Sequence, residues 1–171
     1  METQTEIFFY RQNENHGYMS NFYKCNFVDN IGNIFNCSEQ YFMYMKCLTF
    51  DPTNKVLLIN ILNETNPGKV KYYGRQVKNF YCDLWNTKRS DVMMDALYYK
   101  FSQNNDIRKK LIQTGDKLLY EAAKNDKIWG IGFYSNEALS IDKWYYGKNL
   151  LGECLMMTRR KFREDNNISS I

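Results

Sequence analysis

Apolar residues recur at helical spacing over most of the chain, and strand-like runs are few and short. From Ser90 to Gln103, Val92, Met93, Ala96, Leu97 and Phe101 fall on one face of a helix. The stretches "TNKVLLINILNET", "NDIRKKLIQTG" and "LLGECLMMTRRKFRED" read the same way, the second closed by Gly115 as its C′ residue. Pro67 is suited to open a short helix through "KVKYYGRQV". "EIFFY" (6–10) predicts a strand, and so does "KLLYEAA". "KCNFVD" and "NIFN" flank Asn30-Ile31-Gly32 and predict a hairpin. "KNDKIWGIG" is a glycine-punctuated loop. The sum is α+β: a single, mainly helical domain over residues 1–171 with a small antiparallel sheet, its core at 6–162 and a polar, frayed tail at 163–171.

One stretch breaks the pattern. "CSEQYFMYMKC" (37–47) is a helix of aromatics and methionines that nonetheless carries Glu39 and Lys46. Seven residues apart, they lie about 20° from each other on the wheel and roughly 10 Å apart along the axis. That is too far for an i,i+4 ion pair. Asn36 with Glu39 has capping-box spacing, and Ser38 is a rival N-cap.

Composition narrows the chemistry. A hydrophobic fraction of 44% in 171 residues suits a folded core. Aromatics at 16% can fill that core or line a pocket for flat rings. The net charge of +4 permits a phosphate-bearing ligand but falls short of a dedicated duplex binder. The five cysteines form no CxxC pair and are read as free thiols of a reducing, intracellular compartment. "METQTEIFFYRQ" lacks the n-region and apolar run of a signal peptide, and no apolar run is long enough to span a membrane. A single histidine, His16, leaves no zinc set and no signature for a histidine-based nucleophile. Carboxylates and lysine remain, and no metal or cofactor is expected.

Six short pieces resemble, in order, the NADAR or YbiA-like domain family. They are Gly17-Tyr18-Met19-Ser20-Asn21-Phe22; Ser38-Glu39-Gln40-Tyr41-Phe42 with Lys46; Gly74-Arg75; Trp85, then Lys100-Phe101; Glu121, Asp126, Trp129-Gly130 and Gly132; and Gly147-Lys148-Asn149-Leu150-Leu151-Gly152 with Met156 and Arg159. The resemblance implies an N-glycosidase for ribosyl–nitrogen bonds. Its substrate would be ADP-ribosylated guanine in nucleic acid, or a phosphoribosylamino-pyrimidine intermediate of riboflavin synthesis. There are two departures. Gln40 stands where many members have His, and "FYSNEALSIDKWYY" (133–146) is longer than in compact bacterial members.

Glycosidic cleavage builds positive charge at the anomeric carbon, which a carboxylate stabilises. A neutral lysine can form a Schiff base with an opened sugar. Glu39, Lys46 and Asp126 are therefore the candidate catalytic residues, and Asn21, Phe22, Arg75, Trp85, Trp129, Gly130, Gly132 and Asn149 the candidate ligand contacts. Each has a plainer alternative. Glu39 and Lys46 can be helix-end charges reaching solvent, Asp126 an Asx-turn cap, and Trp85 and Trp129 core. Gly130 and Gly132 can be turn glycines, Asn21 and Asn149 loop caps, and Arg75 a surface charge. The run Arg159-Arg160-Lys161 reads as a solvated helix face. A monomeric cytoplasmic enzyme, or a nuclear one in a eukaryotic host, acting on an ADP-ribose-containing substrate is the expectation. A non-catalytic ADP-ribose reader would need neither Glu39 nor Lys46, and a single-stranded nucleic-acid binder would show a basic groove.

Overall fold

The computed structural model describes residues 1–168, with side chains through Asp165. In chain order the elements are β1 (Glu6–Phe9), β2 (Phe27–Val28), β3 (Ile34–Phe35), α1 (Ser38–Phe50), α2 (Lys55–Asn63), α3 (Pro67–Gly74) and α4 (Cys82–Gln103). They continue with α5 (Asn105–Gln113), β4 (Leu118–Glu121), α6 (Ser135–Ala138) and α7 (Leu150–Ile168). The expected class holds: the chain is mainly helical, with β2 and β3 forming the antiparallel hairpin. A second pair is parallel, β1 with β4, in the register Glu6↔Leu118 to Phe9↔Glu121. By their internal contacts the residues gather into two compact units, Asn21–Asn104 and Met1–Ser20 with Asn105–Ile171.

The contiguous unit is organised around α1. Nine of its residues, Ser38 to Tyr44 with Cys47 and Phe50, are buried, as a helix enclosed on all sides must be. It packs against α2, α3 and α4. Phe35 stands edge-on to Tyr41 and Tyr44, with ring centroids 5.1 and 5.6 Å away. The predicted cap of α1 is not the observed one. Cys37 is the N-cap and makes no side-chain cap bond. Instead Gln40 reaches back, its Oε1 accepting from Asn36 N at 2.7 Å. The other starts follow the rules of capping. Asn54 Oδ1 accepts from Leu57 N, and Asn66 Oδ1 accepts from Gly68 N and Lys69 N beside Pro67 at the first turn of α3. α4 begins at Cys82, eight residues before the periodic face that predicted it.

In the second unit β1 and β4 supply the floor. Ile7, Phe8, Phe9 and Leu119 are at most 1% exposed. α7 packs on β4, and its Leu151 and Leu155 are fully buried. It continues to Ile168, so the first residues of the expected frayed tail are helical, and 169–171 lie outside the described residues. Arg159 is also not on a solvated face. It is buried and donates to Thr114 Oγ1 at 2.6 Å and Lys117 O at 2.9 Å. Only Arg160 and Lys161 of that run are exposed.

Candidate active site

In the contiguous unit Glu39, Lys46 and Arg75 form one electrostatic group. Glu39 sits in the first turn of α1 and is 5% exposed. Its backbone N–H donates to Asn21 O at 3.1 Å, which ties the Asn21-Phe22 loop to the helix start. Lys46, two turns on, is half-buried. Its ammonium donates to Gly74 O at 2.8 Å, the carbonyl that closes α3, and lies 4.2 Å from the centre of the Phe80 ring. Burial holds its pKa below the ordinary lysine value. The Glu39 carboxylate opposes that shift, and the neighbouring Arg75 cation adds to it. The glycine before Arg75 has a steric reason. A Cβ at Gly74 would meet the Met43 side chain, which would have to shift to make room for it. Asn21 itself is 8% exposed and its Oδ1 has no hydrogen-bond partner among the described residues.

Other predicted contacts in this unit serve packing. Trp85 is 6% exposed, with its ring against Phe42 at 5.0 Å and Phe50 at 6.0 Å. Gln40 is fully buried. Its Nε2 lies 2.8 Å from Ile61 O, 2.8 Å from Leu62 O and 3.1 Å from Glu64 O. It fastens α1 to the end of α2, so its role here is structural. Phe80 and the Gly74 carbonyl, which touch the Lys46 amine, escaped sequence reasoning. Gly74-Arg75 was visible as a motif, while Phe80 sits in a loop without periodic signal.

In the other unit, Asp126 caps its own loop. Oδ1 accepts from Ile128 N at 2.9 Å and Trp129 N at 2.8 Å, the Asx arrangement. Trp129 is held by it at intermediate exposure. Asn149 adopts φ 51° and uses both ends of its amide on β4, Oδ1 accepting from Glu121 N and Nδ2 donating to Leu119 O. A Cβ on Gly130 would lie 2.7 Å from Glu121 O, and Gly132 has φ 82°. These residues build the seam between the 126–132 loop, β4 and the start of α7. An open cavity of about 250 Å³ in the same unit is lined by Tyr10, Arg11, Glu14 and Tyr134 among others, and by none of the predicted site residues. Among the described residues no group of three or more His, Cys, Asp or Glu could hold a metal ion. No described helix is long and apolar enough to cross a membrane.

A buried carboxylate and a lysine with a lowered pKa thus share α1, with the arginine that follows α3 close enough to act on the lysine. The NADAR domain model matches residues 8–163, and the chain belongs to the NADAR domain family. It is similar to an N-glycosidase of Acanthamoeba polyphaga mimivirus, 37% identical over 175 residues, covering 97% of this chain and 99% of the relative. A riboflavin biosynthesis protein of Vibrio vulnificus is 30% identical over 92% of the chain, which spans 39% of that protein's length. The NMR structure of Escherichia coli YbiA superposes with a TM-score of 0.77 at 27% identity, covering 97% of this chain and 89% of that one. These relatives support N-glycosidase chemistry for the chain.

Proposed function

We propose that the protein is an N-glycosidase that hydrolyses the ribosyl–nitrogen bond of ADP-ribosylated guanine in nucleic acid. The observation that carries the reading is the Glu39–Lys46 pair on α1, with the lysine amine shifted towards neutrality by burial. Glu39 stabilises the cation that builds at C1 as the C–N bond weakens. The C1–O4′ bond opens, O4′ takes a proton and C1 becomes an iminium to the base nitrogen, to which Lys46 adds its neutral amine. The C1–N bond to the base breaks, the base leaves with a proton, and an imine to Lys46 remains. Water then hydrolyses the imine and returns the free amine and ADP-ribose. Arg75 supplies bidentate donors for a phosphate or a ribose oxygen.

A second reading, hydrolysis of a phosphoribosylamino-pyrimidine, is favoured by the similarity to the Vibrio riboflavin biosynthesis protein. Incubation with an ADP-ribosylated guanine oligonucleotide and, separately, with the phosphoribosylamino-pyrimidine decides between them. Release of ADP-ribose from the first supports the proposal. Release of sugar phosphate from the second alone replaces it.

A further inference from the structure

The segment 133–146 is firmly anchored. Phe133 and Tyr146 pack on a cluster of Phe8, Ala122, Ile131 and Ala138, and the Tyr146 hydroxyl donates to Ala138 O at 2.8 Å. At one end the Tyr134 ring meets Tyr10, centroids 6.5 Å apart. At the other, Lys143 pairs with Glu6. Glu6 and Tyr10 bracket β1, so the segment lies along roughly 13 Å of that strand.

Against this anchoring, Trp144 and Tyr145 face outward at 88% and 65% exposure. Adjacent in an anchored turn, the two rings offer open faces on which a flat partner can stack. Lys148 follows three residues after Tyr145. Lys148 N donates to Lys127 O at 2.8 Å, which sets the two lysines side by side. Both are exposed, and neither pairs with an acid among the described residues. The acids nearby are otherwise engaged: Glu137 holds Lys124, Glu6 holds Lys143, and Asp126 and Asp142 cap backbone N–H groups.

We propose that Trp144 and Tyr145, with Lys127 and Lys148, form a docking strip for single-stranded nucleic acid. Bases stack on the two rings, and phosphates meet the two lysines. Exposed aromatic rings, with an exposed lysine three residues on at Lys148 and a second joined to it at Lys127, match the chemistry of an unpaired strand, whose bases offer π-faces whatever their identity. The inference rests on the nucleic-acid substrate proposed above and gives unmodified strand a binding place of its own. With only two unpaired cations, stacking dominates and the salt dependence is shallow. The slope of log K on log salt should be about −1.4, from roughly −0.7 per phosphate neutralised.

The test titrates the full chain with unmodified oligodeoxythymidine and follows tryptophan fluorescence. Wild type is expected to bind with quenching. Trp144→Ala and Tyr145→Ala should each weaken binding by about tenfold or more, and Trp144→Phe should retain most of the affinity. Unchanged affinity in both alanine variants overturns the proposal. So does a shift of the Trp144→Ala variant in sedimentation with oligonucleotide binding intact, which would give the strip to a second copy of the chain. Cleavage of the free ADP-ribosyl-guanine nucleoside should be the same in Trp144→Ala and wild type, while KM on the oligonucleotide rises. If wild type releases no ADP-ribose from any substrate yet binds oligodeoxythymidine through Trp144, the proposed function fails and the strip stands.

Discussion

The ammonium of Lys46 lies 4.2 Å from the centre of the Phe80 ring. Burial and Arg75 favour the neutral amine, whereas the ring face, like Glu39, favours the charged one. Phe80 therefore restrains the fall in the lysine's pKa. In Phe80→Leu that restraint is gone. If the neutral amine is the reacting form, the rising limb of the pH–kcat/KM profile should move to lower pH. An unmoved limb would take Lys46 out of the rate-determining protonation.

Glu39→Gln preserves size and polarity, so the melting temperature should stay near that of wild type. The variant loses the negative charge that opposes the developing cation, and turnover should fall by about 10²-fold or more. Single-turnover release of ADP-ribose measures this. A loss confined to KM would make Glu39 a binding group.

Lys46→Arg retains charge but offers no ready neutral nucleophile. It should be nearly inactive if the imine forms. Borohydride added during wild-type turnover should fix a sugar-derived mass on the peptide containing Lys46. An active arginine variant together with no adduct assigns Lys46 to electrostatics alone.

Gln40→Leu removes the amide that joins the Asn36 N–H to the carbonyls closing α2, and strands those groups in a buried setting. Chemical denaturation should show a loss of about 2–4 kcal/mol. Any fall in activity should follow that unfolding rather than precede it.

Lys100 is fully buried, its ammonium 5.5 and 5.3 Å from the Tyr23 and Phe101 ring centres, and burial pulls its pKa down to about 8 from the 10.5 of an ordinary lysine. Between those two values the unfolded chain binds more protons than the native one, so this residue's contribution to stability rises with pH across that window. The stability of wild type relative to Lys100→Met should increase from pH 8 to 10.5, by up to about 3 kcal/mol. A flat difference would mean that the amine titrates as though solvated.

Helices announced themselves through period, and hinges through glycine and proline. Gly115 has φ 63° just past α5, and Pro67 opens α3, as read from the sequence. The β1–β4 pairing left no local trace, because Glu6 finds Leu118 only through the tertiary fold. The polar motif residues were legible as special positions but not in direction. Asn149 turns both ends of its amide to backbone, Gln40 does likewise, and Asp126 Oδ1 accepts from the N–H groups of its own turn. A sequence marks a buried polar group as needing partners. It does not say whether those partners are backbone or ligand. Glu39 and Lys46 stood out because two charges on an apolar stripe conflict with burial, and that conflict survives folding in the lysine's lowered pKa.

Synthesis runs in one direction, and the two strands of the parallel pair lie far apart along the chain, at Glu6–Phe9 and Leu118–Glu121. Residues 21–104 leave the ribosome as one uninterrupted piece able to collapse at once. β1 emerges first, yet its partner strand arrives only with Leu118–Glu121. At about 5–20 residues per second the wait is on the order of ten seconds. Throughout it Ile7, Phe8 and Phe9, later sealed from water, hang unpaired on the nascent chain. The stickiest strand of the protein is thus its earliest and longest exposed, and the pace of translation through the middle of the message sets how long aggregation competes with its closure.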